Sequence, residues 1–190
     1  MITFLDYFIM FLALLLLFFY IKNKFGEVEY VKSKTDEYFL VRKLPDNKQA
    51  ADLLGELGND LEKLVMHMVA MYPDDADVKR LHRNFDKKSI SEGSPESNYT
   101  SYSVNKGEKI VLCLRQKDEE KSFVEKNVLL YVAIHELAHL MTDEIGHTTK
   151  FWTNFRFLLT EAVDIGIYTK VDYSKKPADF CGIKVSSSVI

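Results

Sequence analysis

The sequence predicts a mixed α+β fold, in which an N-terminal transmembrane helix precedes one compact domain built from packing helices and a small sheet with an edge hairpin. Three observations support this prediction. Residues 2–21 form a nearly continuous apolar run. Residues 50–72 and 151–162 repeat apolar side chains at intervals of three and four, the spacing of amphipathic helices. Residues 101–104 and 109–115 alternate around a turn at 105–108, which predicts the hairpin.

The apolar run is long enough to cross a membrane. Only Thr3 and Asp6 interrupt it, and twenty helical residues reach about 30 Å, the thickness of the hydrocarbon layer. A cleaved signal peptide would need a positive start and small residues at its cleavage site, whereas residues 18–21 are bulky. We therefore predict a membrane anchor over residues 1–21, a charged juxtamembrane stalk over 22–37 and the folded domain over 38–190.

The flanking charges predict the orientation of this anchor. Lys22 and Lys24 follow the apolar run, and positive residues beside a membrane helix favour the cytosolic side. The domain after the anchor is therefore expected in the cytosol. The two cysteines, Cys113 and Cys181, agree with a reducing compartment. The alternative is a single structural disulfide in an oxidising lumen.

The charge of the chain disfavours strong nonspecific binding to nucleic acid. The formal net charge is −3, and Asp6 is the only charge in the first 21 residues, which leaves −2 for the rest. Lysines and arginines form no basic stripe along the sequence. Nonspecific binding to DNA depends on clustered positive charge.

The segment 135–139 has the sequence His-Glu-x-x-His, the signature of zinc peptidases. The apolar residues 127–134 before it predict a buried helix, and on a helix His135 and His139 point from one face at the same spot. Glu136 is rotated by about 100° from His135. It would lie beside the metal, where it could act as general base toward zinc-bound water. The alternative is a helix whose two histidines make core hydrogen bonds.

A hydrolytic zinc site uses three protein ligands and leaves one position for water. His147 is the leading third ligand, because Gly146 allows the chain to turn back after the helix and Thr148 or Thr149 could cap the next one. The rival ligand is Glu161 on that next helix. Both alternatives stay open on spacing alone.

The three histidines, followed by Phe151 and Trp152, resemble SprT-like, WLM-type and YgjP-type zinc metallopeptidases, which are compact, minigluzincin-like zincins. The resemblance implies Zn²⁺ on His135, His139 and His147, with Glu136 as general acid and base and the aromatic pair packed under the site. It also implies that a strand of the hairpin binds an extended protein or peptide substrate. Residues 100–107 and 173–182 resemble a group of such proteins from large DNA viruses.

Three functions follow from these observations. The first is a membrane-anchored zinc peptidase that hydrolyses peptide bonds. The second is a catalytically idle structural or virion membrane protein that retains the zinc site, for which Cys181 would be a closing ligand. The third is a protease of DNA–protein crosslinks, a role that the resemblance implies for some members and that the anchor and mild acidity disfavour. Tyr168 and Tyr173 are further candidates, as hydrogen-bond donors to a tetrahedral intermediate.

Overall fold

The computed structural model describes residues 4–24, 26–94 and 100–190, and it has a mixed α+β fold. Within these ranges, five α-helices and seven strands follow one another. In order, they are α1 (Phe4–Lys24), β1 (Val28–Lys32), β2 (Tyr38–Arg42), α2 (Asn47–Met71), α3 (Ala76–Asn84), β3 (Ile90–Glu92), β4 (Ser101–Val104), β5 (Lys109–Leu112), α4 (Lys126–Met141), α5 (Thr149–Asp164), β6 (Ala178–Phe180) and β7 (Ile183–Val185).

Helix α1 stands apart from the folded domain. Its window Phe4–Ile21 has a mean hydropathy of 2.4, and none of it is buried against the rest of the chain. A core helix of a soluble domain would be mostly buried, so α1 is not part of this core. Residues 1–3 of the predicted anchor lie outside the described residues.

The main sheet has five strands in the order β1-β2-β3-β5-β4. Its outer pairs, β1 with β2 and β4 with β5, are antiparallel, and β3 pairs in parallel with both β2 and β5. The predicted hairpin is confirmed, with Ser101 opposite Leu112 and Val104 opposite Lys109. Strand β4 is therefore an edge strand, because β5 is its one partner in the sheet.

The structure differs from the predicted stalk over residues 22–37. Strand β1 lies in this range and pairs with β2 from Val28 opposite Arg42 to Lys32 opposite Tyr38. Its side chains are half-buried or exposed, so backbone pairing rather than apolar burial holds the strand. This explains why its charged sequence did not predict a place in the sheet.

Helix α4 lies at the centre of the core. Eleven of its side chains are buried, including both residues that flank the His135–Glu136 pair, Ile134 and Leu137. Helices α2 and α5 cover it with one apolar face each, as their spacing predicts. Its first turn begins after Glu125 without a side-chain cap. Packing, rather than capping, thus fixes this helix.

A buried ion pair joins the sheet to the segment before α4. The guanidinium Nε of Arg115 donates to Glu92 Oε1 at 2.8 Å, and the two side chains are 2% and 1% exposed. Arg115 also binds Asp46, at the start of α2. Glu92 Oε2 accepts from the backbone N–H of Arg42 at 2.7 Å. One carboxylate and one guanidinium therefore connect β2, β3 and α2.

We expect Arg115→Met to lower the free energy of unfolding by about 3–5 kcal/mol, because it leaves the carboxylate of Glu92 buried without its partner. Urea unfolding of the full chain in detergent, followed by circular dichroism, measures this. Lys32→Met is the control, since it breaks the exposed pair of Lys32 with Asp36 and should cause no measurable change. Equal stability of Arg115→Met and the original chain would contradict the assigned role.

Candidate functional site

Three histidines converge above the C-terminal half of α4. His135 and His139 lie one turn apart on α4, and His147 lies just before α5. Their ligand nitrogens are all within 4.8 Å of one another, and Nε2 of His147 lies 3.0 Å from Nε2 of His135. The structure thus brings together the three residues expected from the sequence. Within residues 4–24, 26–94 and 100–190, no other histidine, cysteine or carboxylate joins this cluster.

The donor set fits a zinc ion. Two imidazole nitrogens on one tetrahedral Zn²⁺ lie about 3.3 Å apart, given Zn–N bonds of about 2.0–2.1 Å, close to the observed 3.0 Å. Burial, together with the neighbouring imidazoles, lowers the pKa of His135 to about 3. Burial, with His147 and Lys106 nearby, lowers the pKa of His139 to about 4. Both rings are therefore neutral at pH 7, the form that binds a metal.

An aromatic pair supports the three imidazoles. Phe151 is fully buried, and its ring centroid lies 4.8 Å from that of His135, 4.3 Å from His139 and 4.7 Å from His147. Trp152 lies on the outer side, 5.6 Å from His147, and remains 40% exposed. Thr148 caps α5, because its hydroxyl oxygen accepts a hydrogen bond from the N–H of Phe151. Of the two predicted caps, Thr148 and Thr149, the structure uses Thr148. This cap fixes where Phe151 enters the site.

Glu136 is the buried carboxyl group of the site. It is 4% exposed, and burial raises its pKa to about 7, although hydrogen bonds from the backbone and side chain of Ser103 oppose this rise. Ser103 belongs to the edge strand β4. A carboxyl group with a pKa near neutrality can both accept and return a proton.

The histidines and Glu136 face an open cleft of about 550 Å³. Strand β4 and the turn after it form one wall, with Ser103, Asn105 and Lys106. Residues 144–147 form the wall opposite. Strand β4 is an edge strand of the main sheet, and edge strands can pair with an extended peptide chain. Substrate binding along this strand stays a prediction.

Lys106 holds the loop that carries the third histidine. Its ammonium group donates to the carbonyl oxygens of Thr142, Asp143 and Glu144 at 2.6, 2.7 and 3.1 Å. These carbonyls follow the C-terminus of α4, where unpaired acceptors and the helix dipole favour a cation. The sequence does not reveal this role, because the contacts span 36 to 38 residues and no local spacing signals them.

The turn that presents Lys106 is packed against α3. Gly107 has φ +118°, and a Cβ there would lie 2.0 Å from the carbonyl oxygen of Asn84, so only glycine fits. Asn84 in turn donates to the carbonyl of Leu140 at 3.2 Å. Arg80 donates to the carbonyl of Met141 at 2.8 Å. The carbonyl groups of Leu140 and Met141, the last two residues of α4, therefore each accept a side-chain hydrogen bond from α3.

Glu161, the rival third ligand, lies elsewhere. Its carboxylate accepts from Tyr72 at 2.5 Å and contacts Nε2 of His67 at 2.7 Å, so it joins α5 to α2. It does not belong to the histidine cluster. Glu161 lies toward the C-terminal end of α5, whereas the residues of α5 nearest the three histidines lie in its first turn.

The other residues singled out from the sequence are also placed in structural roles. Tyr168 and Tyr173 are 3% and 2% exposed and pack around Tyr131, so they belong to the core beneath α4. Cys181 forms a disulfide with Cys113. It is therefore not a closing ligand for the three histidines, and its pairing is the one expected from the structural-disulfide alternative.

We expect Lys106→Ala to weaken zinc binding roughly 10- to 100-fold, the usual effect of removing a group that orients a metal ligand. Competition with a chromophoric chelator measures the dissociation constant. Lys109→Ala is the control, because Lys109 is exposed on the neighbouring strand. Unchanged zinc affinity in Lys106→Ala would show that the loop holds His147 without this lysine.

The sequence of the chain is similar to a known domain family and to viral proteins. The sequence model of the WLM domain matches residues 33–188. An uncharacterized protein of Acanthamoeba polyphaga mimivirus is 33% identical over 180 residues, which cover 92% of this chain and 91% of that protein. A second uncharacterized protein, from Invertebrate iridescent virus 6, is 39% identical over 69 residues, covering 36% of this chain and 38% of the relative.

The fold has a counterpart among solved structures. The crystal structure of Wss1 from Saccharomyces cerevisiae superposes with a TM-score of 0.52 at 21% sequence identity, covering 66% of this chain and 86% of that one. This likeness concerns the fold. Together with the match of the WLM domain over most of the chain, it confirms the resemblance drawn from residues 135–152. The chain belongs to the WLM-type metalloprotease family, and its relatives include proteins of large DNA viruses.

Proposed function

We propose that this protein is a membrane-anchored zinc peptidase that hydrolyses peptide bonds. The observation that carries the proposal is the convergence of three imidazole nitrogens within 4.8 Å beside a buried carboxyl group, Glu136. His135, His139 and His147 would hold the zinc ion. When bound, zinc would supply Lewis-acid polarisation of the scissile carbonyl and would acidify the attacking water.

Glu136 moves the proton in this proposal. Its neighbour His135 and its contact with Ser103 fix the carboxyl group at the floor of the cleft. From there, Glu136 takes a proton from the attacking water and later returns it to the leaving amine. The burial that raises its pKa to about 7 makes both transfers accessible near neutral pH.

The edge strand would orient the substrate. Ser101, Tyr102 and Ser103 of β4 line the cleft beside the histidines. A peptide pairing with this strand would lay its backbone across Glu136, because Ser103 contacts that carboxyl group directly. Backbone pairing gives affinity for extended chains of many sequences.

The alternative of an idle structural zinc site is disfavoured by the number of ligands. Structural zinc sites are closed by four protein ligands, whereas hydrolytic sites keep one position open. Three histidines converge here, and across the described parts of the chain no fourth ligand accompanies them. Cys181, the candidate fourth ligand, is held by Cys113. The cleft of about 550 Å³ also leaves room for a substrate.

The anchor proposal rests on α1. Its described side chains from Phe4 to Ile21 are apolar with few exceptions and are not covered by the domain. We further propose that the domain faces the cytosol, because lysines follow the helix. The disulfide between Cys113 and Cys181 is more typical of an oxidising compartment, and protease protection in sealed microsomes distinguishes the two orientations.

We expect Glu136→Gln to keep one zinc ion per chain and to lose roughly 10²- to 10⁴-fold in peptide-cleavage rate, the usual contribution of a general acid and base. Metal analysis of the purified chain and hydrolysis of a casein-derived peptide mixture measure the two quantities. Cleavage by Glu136→Gln at the original rate would refute the proposed mechanism.

Two further variants test the ligand assignment. His147→Ala should lose zinc, whereas Glu161→Gln should retain it, because Glu161 pairs with His67 and Tyr72 instead. His82→Ala serves as control for the histidine change, since His82 lies in the exposed last turn of α3. If Glu161→Gln lost zinc and His147→Ala retained it, Glu161 rather than His147 would be the third ligand.

The full chain should resist extraction from membranes by alkaline carbonate, and a chain without residues 1–25 should not. With the domain on the cytosolic side, protease added outside sealed microsomes should digest it. Protection from the protease, lost only when detergent is added, would place the domain in the lumen. Release of the full chain by carbonate would contradict the anchor.

A further inference from the structure

The C-terminal hairpin is a separate unit of the fold. Strands β6 and β7 pair with each other and not with the five-stranded sheet. Its turn consists of Cys181 and Gly182, with φ of +51° and +85°, the left-handed pair that short hairpin turns require. An isolated two-stranded hairpin is only marginally stable in water. Contacts with the domain must therefore hold this one in place.

Three contacts hold the turn against the end of β5. The disulfide joins Cys181 to Cys113, the first residue after β5. Gln116 accepts from the N–H of Cys181 and donates to the carbonyl of Asp179, both at 2.9 Å. Cysteine is uncommon at positive φ, and the disulfide explains its presence at this turn.

Contacts with α4 and α5 hold the chain after the hairpin. The hydroxyl of Tyr131 donates to the carbonyl of Ser187 at 3.0 Å. Arg156 on α5 donates to the carbonyl of Val189 at 2.9 Å. Phe180 is buried in the core. The hairpin therefore bridges the sheet and the active-site helix.

A second cavity, of about 250 Å³, lies between this hairpin and α4. Tyr131 and Val132 line it from α4, and Phe180, Ile183 and Val185 line it from the hairpin. It shares His135 and Glu136 with the main cleft. A peptide bond placed at Glu136 therefore has this cavity next to it.

The lining of this cavity determines which side chain it would accept. Five of the twelve residues that line it are aromatic or aliphatic, and hydroxyl side chains from Thr100, Ser101, Ser186 and Ser187 complete much of the rest. Ile183 is 52% exposed. Lys184 at the rim pairs with Asp179 at 3.0 Å, so its charge is already matched. The cavity thus suits an uncharged apolar side chain.

We propose that the hairpin 178–185, held by the Cys113–Cys181 disulfide, forms the specificity-determining wall of a side-chain pocket that selects an aliphatic or aromatic residue beside the scissile bond. The proposal rests on the peptidase function proposed above. It goes further by naming the substrate side chain and the part of the protein that selects it. The disulfide acts as a positioning element, because it fixes the wall rather than touching the substrate.

The decisive experiment measures binding without cleavage. Fluorescein-labelled hexapeptides that differ only in one central residue, Leu, Phe, Asp or Gly, are titrated with the full chain in detergent after EDTA treatment, and anisotropy gives the dissociation constants. Circular dichroism checks that the metal-free chain keeps its fold, and if it does not, the titration uses the zinc-loaded chain on ice. The Leu and Phe peptides should bind roughly 10-fold or more tightly than the Asp and Gly peptides.

Variants of the hairpin 178–185 and of its disulfide test whether this wall selects the substrate side chain. Ile183→Asp should abolish the preference for Leu and Phe, whereas Met66→Ala, at an exposed position of α2, should leave it unchanged. The double change Cys113→Ser with Cys181→Ser should reduce the preference while zinc stoichiometry is kept. Equal binding of all four peptides to the original chain, or an undiminished preference in Ile183→Asp, would overturn the pocket. An undiminished preference in the double serine variant would overturn the role of the disulfide.

Cleavage by the zinc-loaded chain separates this proposal from the proposed function. If the peptides show the binding preference but none is hydrolysed, the pocket stands and the peptidase proposal fails. If casein-derived peptides are hydrolysed while the four test peptides bind equally, the peptidase proposal stands and the pocket fails.

Discussion

The packing of α4 between the sheet and the other helices is the constraint on which the rest of the structure depends. Eleven of its side chains are buried, so the helix can neither rotate nor shift without opening the core. This fixes the direction of His135 and His139 and buries Glu136 beside them. Phe151 contacts all three imidazoles from below, and so α5 positions the third histidine relative to the first two. The polar groups of the site are thus held by apolar packing.

The loop between α4 and α5 reaches its place through long-range polar contacts. Lys106 binds three successive carbonyls, and Lys150 bridges Asp143 and Asp77 at 2.8 and 3.1 Å. Asn154 donates to Thr142 Oγ1 at 3.0 Å. These groups come from the turn between β4 and β5, from α3 and from α5, so the position of His147 depends on the assembled domain. The same hairpin that supplies Lys106 also supplies Ser103 to Glu136, which couples the edge strand to both the carboxyl group and the third histidine.

The sequence predicts the parts of this site that rest on short spacings. The four-residue interval of His135 and His139, the following Gly146 and the pair Phe151 and Trp152 are local signals, and the structure brings their side chains together. The alternation around residues 105–108 likewise predicts the β4–β5 hairpin. Strand β1 escaped prediction because it is held by backbone pairing at a solvent-exposed edge. The roles of Lys106 and Ser103 escaped it because each joins segments far apart in the chain, for which periodicity carries no information. The two cysteines leave a disulfide open as one of two alternatives, and the structure forms it.

The proposed peptidase activity depends on a metal ion held by three imidazoles with one position left for solvent. Zinc K-edge X-ray absorption of the full chain, purified with stoichiometric zinc, tests this most directly. We predict three imidazole nitrogens and one oxygen at about 2.0–2.1 Å. A sulfur ligand at about 2.3 Å, or four protein nitrogens, would show a closed structural site and contradict the proposed peptidase.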